Sequence, residues 1–154
     1  MGLEELLTAE GVIPNLKAKC KRDVLSSLAA RASELLGIPA DAIREKLLER
    51  EQLGSTGVGK GVAIPHGKIE GLRSVVGLLA RLETPVDFEA VDDQPVDLVF
   101  LLLAPENATA AHLKALAKVS RLLRDEEARA ALRGAETGEA LFAIAIDPGR
   151  PHAA

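Results

Sequence analysis

The stretch Gly54-Ser-Thr-Gly-Val-Gly-Lys-Gly-Val-Ala-Ile-Pro-His-Gly67 decides between two kinds of fold. Four glycines in eight residues, Gly54, Gly57, Gly59 and Gly61, run into a short apolar strand read as ending at His66. Its first half satisfies the Gly-x-x-x-x-Gly-Lys portion of the nucleotide-binding signature, with Gly54, Gly59 and Lys60 in place. The next residue is Gly61, where a magnesium ligand would require Ser or Thr. The context is also inverted. A P-loop leaves a strand and enters a helix, whereas this loop follows a helical pattern and enters a strand stopped by Pro65. An ATPase reading is therefore rejected.

Upstream, Leu3 to Thr8 reads as a short helix, and Val12 to Leu16 as an extended segment whose Pro14 suits a sheet edge. Val24, Leu25, Leu28, Ala32, Leu35 and Leu36 recur at helical spacing, so a helix is predicted from Lys21 to Leu36 with Gly37 at its C-cap. A second helix begins near Pro39, carries Asp41 at its positive end and runs to about Leu53. Ile43, Leu47 and Arg50 share one face of it, so Arg50 ends a buried stripe.

Downstream, Val62 to Ile64 reads as a short strand. Val75 to Leu82 is a longer one with too little alternation for a half-exposed sheet, so both faces are expected to be covered. Glu83 to Gln94 mixes turn residues with Val86 and Phe88 and suggests a minor hairpin. Val96 to Ala104 is the most hydrophobic strand and is expected at the centre. Asn107 or Thr109 then caps a helix on which His112, Leu116, Val119 and Leu123 face inward, opposite Lys114, Lys118 and Arg121. Further helices follow at Asp125 to Arg133 and, capped by Thr137, at Gly138 to Ile146. The reading is one α/β domain over 1–146 and a frayed tail over 147–154, with no internal repeat.

Composition narrows the function. With 154 residues, 47% of them hydrophobic, the chain can bury a sizeable core. Lys plus Arg is 19 against 23 Asp plus Glu, and the net charge of −4 gives no general attraction for nucleic acid. Phe88, Phe100 and Phe142 are the only aromatics besides histidine, too few for a base-stacking platform. A single cysteine, Cys20, rules out an internal disulfide and favours a reducing compartment. The acidic N-terminus is no secretory signal, and no apolar run approaches the roughly 20 residues that span a bilayer. A cytoplasmic protein without membrane insertion is expected.

Glycines at this density expose amide N–H groups able to cradle an anion, and an imidazole beside them is a nucleophile near neutral pH. Phosphoryl transfer through a labile phosphohistidine fits that pairing, because it asks the protein for fixed N–H donors and a guanidinium. The candidate set is His66 as acceptor, Arg50 to stabilise the phosphoryl charge and His112 in support. Gly54, Ser55, Thr56, Gly57, Gly59 and Gly61 form the candidate phosphoryl-binding loop. Each has a structural alternative: a turn cap for His66, a helix-end contact for Arg50, a satisfied half-buried ring for His112. His152 lies in the tail and receives no role, Lys60 and Lys68 read as solvated, and neither interior histidine has a carboxylate or thiolate at metal-ligand spacing. No metal and no cofactor is expected.

At these residues the chain resembles a known family. Gly-Val-Ala-Ile-Pro-His66-Gly is similar to the active-site signature of type-2 enzyme IIA domains of the bacterial phosphoenolpyruvate-dependent phosphotransferase system. Arg50-Glu-Gln-Leu-Gly-Ser-Thr-Gly, Leu82-Glu-Thr-Pro-Val-Asp-Phe, Asp93-Gln-Pro-Val-Asp-Leu and Ala111-His112-Leu resemble its nitrogen-regulatory branch, so the similarity covers about Leu3 to Ile146. The resemblance implies a mixed parallel and antiparallel sheet flanked by helices. It implies that His66 takes a phosphoryl group from a histidine-phosphorylated HPr-like carrier, with Arg50 and His112 beside it. Transport members pass the group to a cysteine of an enzyme IIB, while nitrogen-branch members regulate target proteins according to phosphorylation state. The absence of a IIB or membrane domain in this sequence fits a regulator and equally a separate transport component. Lys60 stands where a small or polar residue is expected, which implies altered electrostatics around His66. The leading expectation is a phosphorylatable regulator. A fructose- or mannitol-type transport component and a non-covalent anion-binding module are the alternatives.

Overall fold

A computed structural model describes residues 2–147. After a 3-10 turn at Leu3–Glu5, the order is β1 (Leu7–Leu16), α1 (Lys21–Leu36), α2 (Ala40–Gln52), β2 (Gly57–Gly59), β3 (Val62–Ala63), β4 (His66–Ile69), β5 (Val76–Val86), β6 (Val96–Pro105), α3 (Thr109–Arg124), α4 (Glu126–Gly134) and α5 (Gly138–Ile146). The expected tail, 147–154, lies outside the described residues apart from Asp147, which follows the last turn of α5.

The strands form one mixed sheet in the order β1-β5-β6-β3-β2, with β4 also paired to β6. The hydrophobic run Val96–Pro105 is the central strand, and every residue in it except Asp97 is buried. Strand side chains alternate between faces, so Val99, Leu101 and Leu103 join α1 and α2 in one core while Leu98, Phe100 and Leu102 join α3, α4 and α5 in the other. Both faces are covered, which is why the sequence of β5 and β6 lacks a polar period. Asp97 is half-buried and its carboxylate accepts from the Arg133 guanidinium at 3.0 Å.

The helix predicted at Lys21 to Leu36 has those bounds, and Gly37 takes the left-handed conformation at φ 73° while its N–H closes on the Ser33 carbonyl at 2.9 Å. Helix α2 begins at Ala40 with Pro39 as its N-cap, beside the expected start, and ends at Gln52, one residue short of Leu53. Thr137 caps α5 as its sequence suggests, accepting from Ala140 N–H at 3.1 Å. Pro14 lies in β1 at the sheet edge, where a missing donor costs no ladder bond.

Other expectations are corrected. The N-terminal helix is only three residues, because Leu7 already pairs in parallel with Gly77 of β5. β5 runs past Leu82 to Val86, which pairs with Val96, so Asp87 to Pro95 connects a long β5–β6 hairpin instead of forming a small one. Neither Asn107 nor Thr109 caps α3. Its N-cap is Ala108, and the Thr109 hydroxyl instead accepts from Lys68 Nζ at 3.1 Å. Finally, the strand before Pro65 ends at Ala63, and His66 opens β4.

Gly77 tests how tightly the two central strands close. A Cβ there would meet the Phe100 ring at 2.6 Å and Leu6 Cδ1 at 2.7 Å. Gly77→Ala is expected to destabilise the fold by about 1–3 kcal/mol through overpacking. Urea unfolding reads this directly, and an unchanged midpoint would contradict that packing.

Candidate functional site

Pro65 has no N–H, yet its carbonyl accepts from Leu102 N–H at 2.9 Å, so the sheet continues past it and His66 pairs with Leu102 of β6. Ile64 and Pro65 lie between β3 and β4, and the imidazole contacts the backbone two residues before it. His66 Nδ1 lies 2.9 Å from the Ile64 carbonyl oxygen, and its Nε2 receives a bond from Arg50 Nε at 3.3 Å. A carbonyl can only accept and a guanidinium can only donate. Nδ1 therefore carries the proton and Nε2 keeps its lone pair.

Arg50 is held by two devices at the end of α2. Its Nη1 donates to the Gly54 carbonyl at 2.8 Å. The neighbouring Glu51 carboxylate accepts the Thr56 amide at 3.1 Å and the Thr56 hydroxyl, and it pairs with Lys21 Nζ at 2.9 Å, which fixes the turn after the helix. The stripe Ile43, Leu47, Arg50 behaves as its spacing requires, with the first two buried and Arg50 half-buried over the site.

His112 faces His66 from the first turn of α3, the ring centroids 5.5 Å apart and the planes at 68°. It is 7% exposed, and its Nε2 has no hydrogen-bond partner among the described residues. Burial, and then the charges of His66 and Lys68, push its pKa below the ordinary 6.5. The folded state thus disfavours a proton that the unfolded chain takes up near pH 6.5. The associated stability is complete above that pH and is lost as pH falls through the lowered folded pKa. The urea midpoint is expected to fall between about pH 7.5 and about pH 5.5, and to fall less in His112→Gln. An equal fall in both proteins would contradict this.

A cavity of about 870 Å³ opens at these side chains, and Lys46, Glu49, Lys68 and Glu106 line it together with Arg50, His66 and His112. Lys46, Glu49 and Glu106 were not singled out from the sequence. Lys46 precedes Arg50 by one helical turn, a spacing that would have found it. Glu106 follows the end of β6, beside the strand that carries His66.

The glycine stretch is placed differently from expectation. None of Gly54, Ser55, Thr56, Gly57, Gly59 or Gly61 lines this cavity. The Gly54 amide bonds Glu51 O, the Thr56 amide bonds the Glu51 carboxylate and the Gly57 amide bonds Ser55 Oγ at 3.0 Å, so these donors are already engaged. Gly59 to Gly61 turn at the other end of the sheet, where the Gly61 carbonyl accepts from Asp97 and Leu98 N–H. Lys60 sits there too, at φ 61° with its amide on Asp92, and so does not alter the surroundings of His66. The cations that line the cavity with the two histidines are Lys46, Arg50 and Lys68. Among the described residues no three His, Cys, Asp or Glu gather to hold a metal ion, and no helix is long and apolar enough to cross a membrane.

Residues 5–147 match the protein family described as "Phosphoenolpyruvate-dependent sugar phosphotransferase system, EIIA 2". The chain is 51% identical to a nitrogen regulatory protein of Bradyrhizobium diazoefficiens over 96% of this chain and 97% of that one. It is 43% identical to a nitrogen regulatory protein of Pseudomonas aeruginosa over 94% and 95% of the two chains. Among solved structures, nitrogen regulatory protein IIA-Ntr of Neisseria meningitidis superposes with a TM-score of 0.87 at 34% identity, covering 92% of this chain and 97% of that one.

Proposed function

Because this chain belongs to the EIIA 2 family of the phosphoenolpyruvate-dependent sugar phosphotransferase system, we propose that His66 Nε2 accepts a phosphoryl group from a histidine-phosphorylated HPr-like carrier. The observation that carries this is the tautomer. Ile64 holds the proton on Nδ1 and leaves a nucleophilic lone pair on Nε2, in a ring that lines the open cavity. That lone pair forms a bond to phosphorus as the carrier's P–N bond breaks, and the carrier's nitrogen retains the electron pair. No proton needs to leave His66, because Nδ1–H stays on the Ile64 carbonyl.

Arg50, already on Nε2 at 3.3 Å, turns its donors to the phosphoryl oxygens as they arrive. His112, whose buried Nε2 has no partner among the described residues, donates to the phosphoryl oxygens once the dianion raises its proton affinity. The labile P–N bond of the product then lets the group pass on to another acceptor.

The protein acts in the cytoplasm as a nitrogen-regulatory-type enzyme IIA whose targets distinguish its two forms. The names and coverage of its relatives support this reading. So does the rim of the site, where Leu53 lines the cavity and is 85% exposed. An apolar residue of this kind suits a protein partner, and phosphorylation adds about −1.5 to −2 charges beside it. The test is to load the protein with radiolabelled phosphoryl and offer it a fructose- or mannitol-type enzyme IIB. Retention of the label, with target proteins captured by only one form, is expected. Rapid transfer to the IIB cysteine would instead identify a transport component, and failure to load at all would leave a non-covalent anion-binding module.

A further inference from the structure

A second cavity, of about 310 Å³, lies against the α3–α4 junction and the β2–β3 turn, and His66, Arg50 and His112 take no part in it. Its walls are apolar, from Val58, Ile64 and Leu123. Its polar groups are Lys60, Arg124, Arg129 and the Ser120 hydroxyl. Among the described residues, three cations and no carboxylate line it.

Arg129 is the decisive residue. It is 8% exposed, and a buried guanidinium normally has a carboxylate partner. Here no carboxylate of a described residue approaches it within 4.0 Å. Nη1 donates to the Leu123 carbonyl at 2.9 Å, which uses the negative end of α3 and only one of five N–H donors. The nearby acids are occupied elsewhere. Asp92 accepts the Lys60 and Gln94 amides, and Asp125 accepts the Glu127 amide at the start of α4.

We infer that this cavity binds a small organic anion, with a carboxylate or phosphate head on the Arg129 guanidinium and a short apolar body against Val58, Ile64 and Leu123. A planar fork beside two further cations suits an oxyanion, and the volume is at the small end of ligand cavities. Ser120 supplies a hydroxyl for a remaining oxygen. Ile64 also joins the two sites, since its side chain walls this cavity while its carbonyl holds His66 Nδ1.

The probes are hexanoate and hexyl phosphate for the two head groups, with hexan-1-ol as the uncharged control. Each is titrated into the isotopically labelled full chain and followed by amide NMR, with no phosphoryl donor present, so the outcome is independent of whether His66 is phosphorylated. At least one anion is expected to shift Ser120, Leu123 and Arg129 saturably, and hexan-1-ol to bind roughly tenfold more weakly. Arg124→Gln and Lys60→Gln, both at exposed positions, are expected to weaken binding several-fold with the spectrum otherwise unchanged. Arg129→Lys keeps the charge and removes the fork, and is expected to weaken it further. Equal binding of the alcohol, unchanged affinity in all three variants, shifts centred on His66 and Lys68, or no saturable shift from either anion would overturn the inference.

Discussion

His66→Ala is expected to gain no phosphoryl group when incubated with phosphoenolpyruvate, enzyme I and an HPr-like carrier, while the unsubstituted protein gains one acid-labile group. The loss is complete because no other described residue has the same arrangement. His112 also lines the cavity, but its Nε2 is buried and has no Arg50-like donor on it. The fold should survive, since His66 is only half-buried and its strand is held by the Pro65 carbonyl and the pairing with β6. Intact mass reads the result. A variant that still gained the group would move the acceptor elsewhere.

Arg50→Gln is expected to slow phosphoryl gain by about 10²–10³-fold, the usual effect of removing one hydrogen-bond donor from a developing oxyanion. Glutamine keeps a hydrogen-bonding head but not the charge or the fork. Arg50→Lys should recover part of the rate and not all of it. The turn after α2 is pinned independently by Glu51, Thr56 and Lys21, so the variant tests charge more than folding. Rapid-quench rates at equal carrier concentration make the comparison. Rates within a factor of about two of the unsubstituted protein would show that Arg50 does not face the transferring group.

Much of the fold was legible because its determinants are local. Helix α1 declares itself through the spacing of Val24, Leu25, Leu28 and Ala32 and through Gly37, all within one segment. The central position of Val96–Pro105 follows from burial on both faces, which leaves an unbroken apolar run. What stayed hidden depends on distant partners. Leu7 becomes a strand residue only because β5 lies beside it, some seventy residues on. β4 was concealed by Pro65, which lacks a donor and reads as a stop, although its carbonyl still serves the ladder.

The site divides in the same way. The histidines and Arg50 could be nominated because their types and helical spacing suit phosphoryl chemistry, and the structure brings the three together. The glycine stretch suggested an anion cradle by its composition. Whether an amide is available, however, is decided by Glu51, Ser55 and Asp92, whose bonds no local pattern reveals. The group that sets the tautomer of His66 is a backbone carbonyl, and every residue has one of those.

The central claim is that Ile64 fixes the proton on Nδ1 and so makes Nε2 the nucleophile. Long-range proton–nitrogen NMR of the imidazole, before and after phosphorylation, measures it most directly. The account predicts an Nδ1–H tautomer in the free protein and phosphorus coupled to Nε2 in the product, with Nδ1 still protonated. An Nε2–H tautomer in the free protein, or phosphorus on Nδ1, would contradict it.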